Sequence, residues 1–172
     1  MLKYTPFINI IDLVLSFIKK FSLNSFRLST EINSATKKDV VQFISRSSWF
    51  ILLVALVKQD KIKRKLNIWL PSYYCDDPIY LLNKLDIKIN FYDVDKNYEV
   101  ISDTIELIEK ENNSPDIIVM CNFMGKIISE REQSYFHQLK KKYEAWLIQD
   151  ATHCIDIKDV DSKYSDFICL SP

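Results

Sequence analysis

From Ser47 to Leu66 the chain is apolar on nearly every side at its start, through Trp49, Phe50, Ile51, Leu52, Leu53 and Val54. Such a segment suits a helix buried in a core better than one lying on a surface. Strand and helix patterns then alternate. Asn67 to Leu70 reads as a short strand closed by Pro71, and Asp76 to Leu85 as a helix with Pro78 tolerated in its first turn. Ile87 to Tyr92 alternates and is rich in β-formers, which predicts a strand. Asp103 with Glu106, and Ser129 with Glu132, have the spacing of capping boxes. They predict helices bearing Ile105 and Ile108, then Tyr135, Phe136, Leu139 and Tyr143. Apolar runs follow each, Asp116 to Cys121 and Ala145 to Gln149, and suit strands buried on both faces. Ser165 to Leu170 predicts a further strand. Upstream, Phe7, Ile11, Val14, Ile18 and Phe21 mark one face of an amphipathic helix.

Repeated strand–helix units imply an α/β sandwich built on a mostly parallel sheet. Ligands of such sheets gather outside the carboxyl ends of the strands. The residues to examine are therefore Ser72 to Cys75, Asp93 to Asp95, Asn122 to Gly125, Asp150 to His153, and Ser171. Loop turns alone would produce the same polar pattern, so placement by itself does not identify a pocket.

Composition removes several alternatives. The 172 residues hold 23 Lys+Arg against 23 Asp+Glu, so no global field recruits nucleic acid or an anionic membrane. The basic run Lys58, Lys61, Lys63, Arg64 and Lys65 reads as a solvated helix end. Phe7 to Ile18 is broken by Asp12 and falls short of the roughly 20 apolar residues a bilayer span needs. Its positive charges follow rather than precede the apolar stretch, unlike a signal peptide, and a cytoplasmic protein is expected. A single glycine, Gly125, excludes a P-loop and a dinucleotide fingerprint, which need several. The cysteines Cys75, Cys121, Cys154 and Cys169 form no CxxC pair, and only His137 and His153 could assist them. Buried reduced thiols are expected, and no metal site.

The string WLIQDATHCID, Trp146 to Asp156, is an apolar strand ending in Asp, then two small residues and His. It is similar to the "hxxEDxAH" segment of the DegT/DnrJ/EryC1/StrS aminotransferases, which use pyridoxal 5'-phosphate (PLP). Other segments resemble that family in the same order. SRSSWFILLVAL (Ser45 to Leu56) resembles "SGRSALxLxL", with Ser45 in place of the glycine, and NIWLPSYYC (Asn67 to Cys75) resembles "VLLPAYHC". FYDVD (Phe91 to Asp95) matches "FxDVD", and NFMGK (Asn122 to Lys126) sits where the family has "HxxG", with Asn122 replacing the histidine. SDFICLSP (Ser165 to Pro172) resembles "DFxxFSxxK".

The resemblance implies a three-layer α/β large domain of fold-type I PLP-dependent transferases, incomplete, over residues 45–172. A helical segment would occupy residues 1–44, and a C-terminal small domain would be absent. Asp150 would hold the pyridinium nitrogen, and His153 would lie near the phenolic oxygen. Ser47 and Ser48, at a helix start, would meet the phosphate. Tyr73 or Tyr74 would cover the ring, and Ser171 would complete the cofactor set. The family's cofactor-holding lysine lies beyond Pro172, so no catalytic residue is assigned and the chain alone is expected to be inactive. The implied substrates are a keto-sugar nucleotide and an amino-donor amino acid, in a homodimer with no nucleic-acid or membrane partner. Three alternatives stay open: a sugar dehydratase of the same family, a non-catalytic half-domain that binds a full-length relative, and an unrelated flavodoxin-like or Rossmann-like binding domain.

Overall fold

A computed structural model describes residues 47–154, 160 and 163–170, all within the unit Ile44–Pro172. The predicted helix over Phe7 to Phe21 and the candidate Ser171 lie outside the described residues. The elements run α1 (Ser47–Ile62), β1 (Asn67–Pro71), α2 (Asp76–Lys84), β2 (Lys88–Tyr92), α3 (Ser102–Lys110), β3 (Ile117–Cys121), a 3₁₀ turn (Phe123–Gly125), α4 (Glu130–Tyr143), β4 (Trp146–Asp150) and β5 (Phe167–Cys169).

All pairings between these strands are parallel, in the order β2-β1-β3-β4-β5. The chain steps outward from β1 to β2 through α2, then returns past β1 to β3 through α3 and onward through α4. Right-handed crossovers put helices that travel in opposite directions on opposite faces. The cores follow that rule. On one face Ile51, Leu52 and Ala55 of α1 and Leu82 of α2 pack on Ile68, Leu70, Ile117, Val119 and Ile148. On the other, Ile105 and Ile108 of α3 and Phe136 and Leu139 of α4 pack on Trp69, Ile118, Met120 and Leu147. β1 and β3 are apolar throughout except for Asn67 because both their faces are covered.

The basic run at the end of α1 is ordered by specific partners. Arg64 clamps Asp116 through both terminal nitrogens, Nη1 to Oδ2 at 2.9 Å, and Asp116 also accepts from the Asn67 backbone N–H at 2.8 Å. Lys58 donates to the Glu144 carbonyl, and Lys58 and Lys61 sit over the Trp146 ring. Lys65 pairs with Asp86. Phe50, nearer the start of α1, packs edge-on against Phe167 of β5 at 6.5 Å. α1 therefore runs antiparallel to the strands, with its N-terminus at their carboxyl ends.

Of the two capping boxes, Ser129–Glu132 is present: Ser129 Oγ accepts from Glu132 N at 3.2 Å, and the Glu132 carboxylate takes the Ser129 N–H in return. Asp103–Glu106 is not. That helix begins at Ser102 after Ile101, with no side-chain cap. Thr104 supplies the local polar contacts instead, accepting from Asp93 N and donating to the Ile101 carbonyl.

Candidate functional site

Cys121, Asp150 and Cys169 are register partners across β3, β4 and β5, so they form one row at the carboxyl edge. Alternation along the strands places this row on the face covered by α1 and α2, where Ile148, Val119 and Phe167 also point. Asp150 is only 5% exposed. Its Oδ2 accepts a close hydrogen bond from the Tyr74 hydroxyl, and its Oδ1 accepts from Thr152 N at 3.1 Å and Thr152 Oγ1 at 2.7 Å. Tyr74 reaches it from the loop after β1, where Pro71 ends the strand and Ser72 N bonds to the Tyr92 carbonyl.

The electrostatics of the row follow from burial and one charge. Burial, then the Asp150 carboxylate, push the Tyr74 phenol far above its ordinary value, so Tyr74 is fixed as a donor. The same two causes raise the Cys121 and Cys75 thiols and push Cys169 up to about 12. These thiols are poor nucleophiles, since the thiolate is the reactive form. Among the described residues, no group of three or more His, Cys, Asp and Glu is placed to hold a metal ion.

The other candidates distribute as follows. Ser47 opens α1 and Ser48 is buried in its first turn, both at the carboxyl end of the sheet where α1 leaves its first amides without helical partners. Adjacent tyrosines part company. Tyr74 turns inward to Asp150, whereas Tyr73 is 70% exposed and meets the rings of Phe123 and Tyr98 at 6.4 and 6.3 Å. His153 is exposed, and its Nδ1 accepts from Met124 N at 3.3 Å. That turn needs Gly125, whose φ is +77° and whose missing Cβ would lie 3.3 Å from the His153 carbonyl oxygen. In FYDVD, Asp95 folds its own turn, its Oδ1 accepting from Asn97 N and Glu99 N.

A buried amide pair on the opposite face of β4 from Asp150 escaped the sequence, although Asn122 itself stood among the positions singled out. Asn122 is fully buried and joined to Gln149: Gln149 Nε2 donates to Asn122 Oδ1 at 3.0 Å, and Asn122 Nδ2 donates to the Lys126 carbonyl at 2.9 Å. Ser165 Oγ donates to Gln149 Oε1 at 3.3 Å, which ties the segment before β5 into the same network. A glutamine inside an otherwise apolar strand was the signal available.

No family model matches the sequence, and no curated protein matches it either. Solved structures do. A tyrosine aminotransferase from Leishmania infantum is similar over 72% of this chain and 36% of its own, with 16% identity and a TM-score of 0.51. A sphingosine-1-phosphate lyase from Burkholderia pseudomallei is similar over 61% and 25%, with 12% identity and a TM-score of 0.50. A DegT DnrJ EryC1 StrS aminotransferase from Brucella abortus is similar over 59% and 28%, at 16% identity and a TM-score of 0.45, too loose to single out one family. The chain spans between a quarter and little more than a third of the length of these three structures. The fold is thus that of part of a large domain of fold-type I PLP-dependent transferases, with a five-stranded parallel sheet.

Proposed function

We propose that this chain forms the cofactor face of a PLP-dependent aminotransferase that moves an amino group from an amino acid to a keto-sugar nucleotide. The observation that carries the reading is Asp150, a buried carboxylate at the carboxyl end of β4, on the face of the sheet that α1 covers. A carboxylate offers about four acceptor positions, and Tyr74 and Thr152 fill three of them. Among the described residues no further donor takes the fourth, so the donor set fits the N–H of a protonated pyridine. Pyridoxal phosphate bound there supplies an electron sink for bonds broken at the amino-acid carbon.

Each residue then has a task. Asp150 holds the proton on the ring nitrogen, and Tyr74 and Thr152 orient Asp150. The start of α1, with Ser47 and Ser48, receives the phosphate through unpartnered amides and the positive end of the helix dipole. His153, whose Nδ1 is occupied as an acceptor, carries its proton on Nε2 and can donate to a phenolic oxygen. Tyr73 presents an exposed ring at the same edge, and Ser171 follows β5. The resemblance of FYDVD, NFMGK and WLIQDATHC to one aminotransferase family supports the sugar-nucleotide substrate. A cytoplasmic homodimer goes with the same reading.

The test uses the full-length polypeptide that carries this sequence. PLP is titrated in and followed by its absorbance, for the wild type and for Asp150→Asn. Amino transfer from glutamate is then measured to a keto-sugar nucleotide and, for comparison, to an aromatic keto acid. Saturable PLP binding weakened by Asp150→Asn, with turnover favouring the sugar nucleotide, is expected. No PLP binding would overturn the cofactor assignment, and preference for the aromatic acid would overturn the substrate.

A further inference from the structure

We infer that Tyr74 and Thr152 form a clamp that sets the donor preference of Asp150, so that the site selects a ligand carrying a protonated ring nitrogen over an isosteric carbocycle. The inference rests on the cofactor reading above and assigns Tyr74 a different task from that of a ring-covering aromatic. The clamp joins two loops that are far apart in sequence. Tyr74 comes from the turn after β1, and Thr152 from the turn after β4. Both oxygens of Asp150 are engaged, Oδ2 by the Tyr74 hydroxyl and Oδ1 by the Thr152 amide and hydroxyl.

Chemistry gives each contact a direction. The Tyr74 phenol stays protonated because burial and the neighbouring carboxylate both oppose its ionisation, so it can only donate to Asp150. The Thr152 amide is likewise a permanent donor. Hydrogen bonds donated to both oxygens of a carboxylate fix its plane. Among the described residues, an Asp150 fixed in this way presents one remaining acceptor position rather than a choice of several. A neutral C–H in place of the ring N–H would leave that position buried and unmet, which costs binding. Tyr74 and Thr152 are therefore positioning residues, acting on the ligand through Asp150. Neither needs to touch it.

The clamp also explains the division of labour between neighbouring tyrosines. Tyr74 is 8% exposed and spends its hydroxyl on Asp150, whereas Tyr73 is 70% exposed and meets other rings. Aromatic character alone would make the two interchangeable. The hydroxyl is what Tyr74 contributes.

The experiment compares the affinities of PLP and of its 1-deaza analogue, in which a C–H replaces the ring nitrogen, for the full-length polypeptide. The wild type should prefer PLP by tenfold or more. Tyr74→Phe should cut that preference by about tenfold, and Thr152→Val by a smaller factor, while deaza-analogue affinity changes little. A purely structural role for either residue would weaken both ligands alike and leave the ratio unmoved. If Tyr74→Phe does not fold, Thr152→Val alone decides. A wild type that prefers PLP, with variants that keep the whole preference, would overturn the clamp and leave the cofactor reading standing. A wild type that binds both ligands equally, or neither, would overturn the role of Asp150 and the clamp with it.

Discussion

Cys121 and Cys169 stand on either side of Asp150, one on β3 and one on β5, each one strand away in the same row. Two thiols thus share their face of the sheet with a buried carboxylate. Burial and that charge together keep both thiols protonated well into the alkaline range.

This row predicts an alkaline loss of stability. The unfolded chain releases a cysteine proton near pH 9, whereas folded Cys169 keeps it up to about 12. Between those values the unfolded state binds fewer protons, so stability falls as pH rises. It is unaffected below about pH 8. Each such thiol adds a slope approaching about 1.4 kcal/mol per pH unit. Urea unfolding at pH 7.5, 9 and 10.5 should show the decline, and the Cys121→Ala/Cys169→Ala double variant should flatten it. An equally steep decline in the double variant would place the cause elsewhere.

The buried amide pair predicts a second effect. Asn122 and Gln149 satisfy each other with no water access, and each also serves a neighbouring loop. Asn122→Leu would strand the Gln149 side-chain N–H and the Lys126 carbonyl, costing about 2–4 kcal/mol. Replacing both residues together, Asn122→Leu with Gln149→Leu, should cost less than the sum of the single changes. Additive losses in denaturant titrations would show that the pair is not coupled.

Why the strands were legible and this pair was not has a physical answer. A strand covered on both faces must be apolar along its length, and Ile117 to Met120 announce that locally. The amide pair depends on the register that sets Cys121 opposite Asp150, a relation between distant segments that no local pattern carries. The capping boxes make the same point. Ser129–Glu132 and Asp103–Glu106 share one spacing, but at the second the Thr104 hydroxyl, tied to Asp93 from the strand before, governs the turn. The tyrosines were legible as a pair, and their opposite directions were not, because the turn after Pro71 decides which one enters.

At the other edge of the sheet, Arg64 and Asp116 predict a stability effect remote from the candidate site. The Asp116 side chain is 6% exposed while that of Arg64 is 61% exposed, so only one partner is deeply buried. Arg64→Ala would leave that carboxylate with the Asn67 amide as its remaining partner among these contacts. A loss of about 1–3 kcal/mol is expected. Arg64→Lys should recover only part of it, because a single ammonium cannot make both bonds of the guanidinium fork. Full recovery by lysine in thermal melts would mean that charge alone, without the fork, is what Asp116 needs.

Gly125 gives the last prediction, because two distinct costs meet there and can be separated. Its φ of +77° lies in the left-handed region, where a side chain costs about 1–2 kcal/mol. A Cβ would also sit 3.3 Å from the His153 carbonyl oxygen, tighter than an ordinary contact, so that oxygen must yield by a few tenths of an ångström. Gly125→Ala meets both costs. Gly125→Asn meets the same contact through its own Cβ, but asparagine tolerates left-handed backbone better than alanine does. His153 lies in an exposed turn, which can give way, so the backbone cost should dominate. Gly125→Ala is therefore expected to lower stability by about 1–2 kcal/mol, with Gly125→Asn recovering more than half of that. Chemical denaturation of the two variants beside the wild type measures the difference. Should asparagine prove as damaging as alanine, the contact with His153 costs more than the backbone does, and the turn that carries His153 is held more rigidly than its exposure suggests.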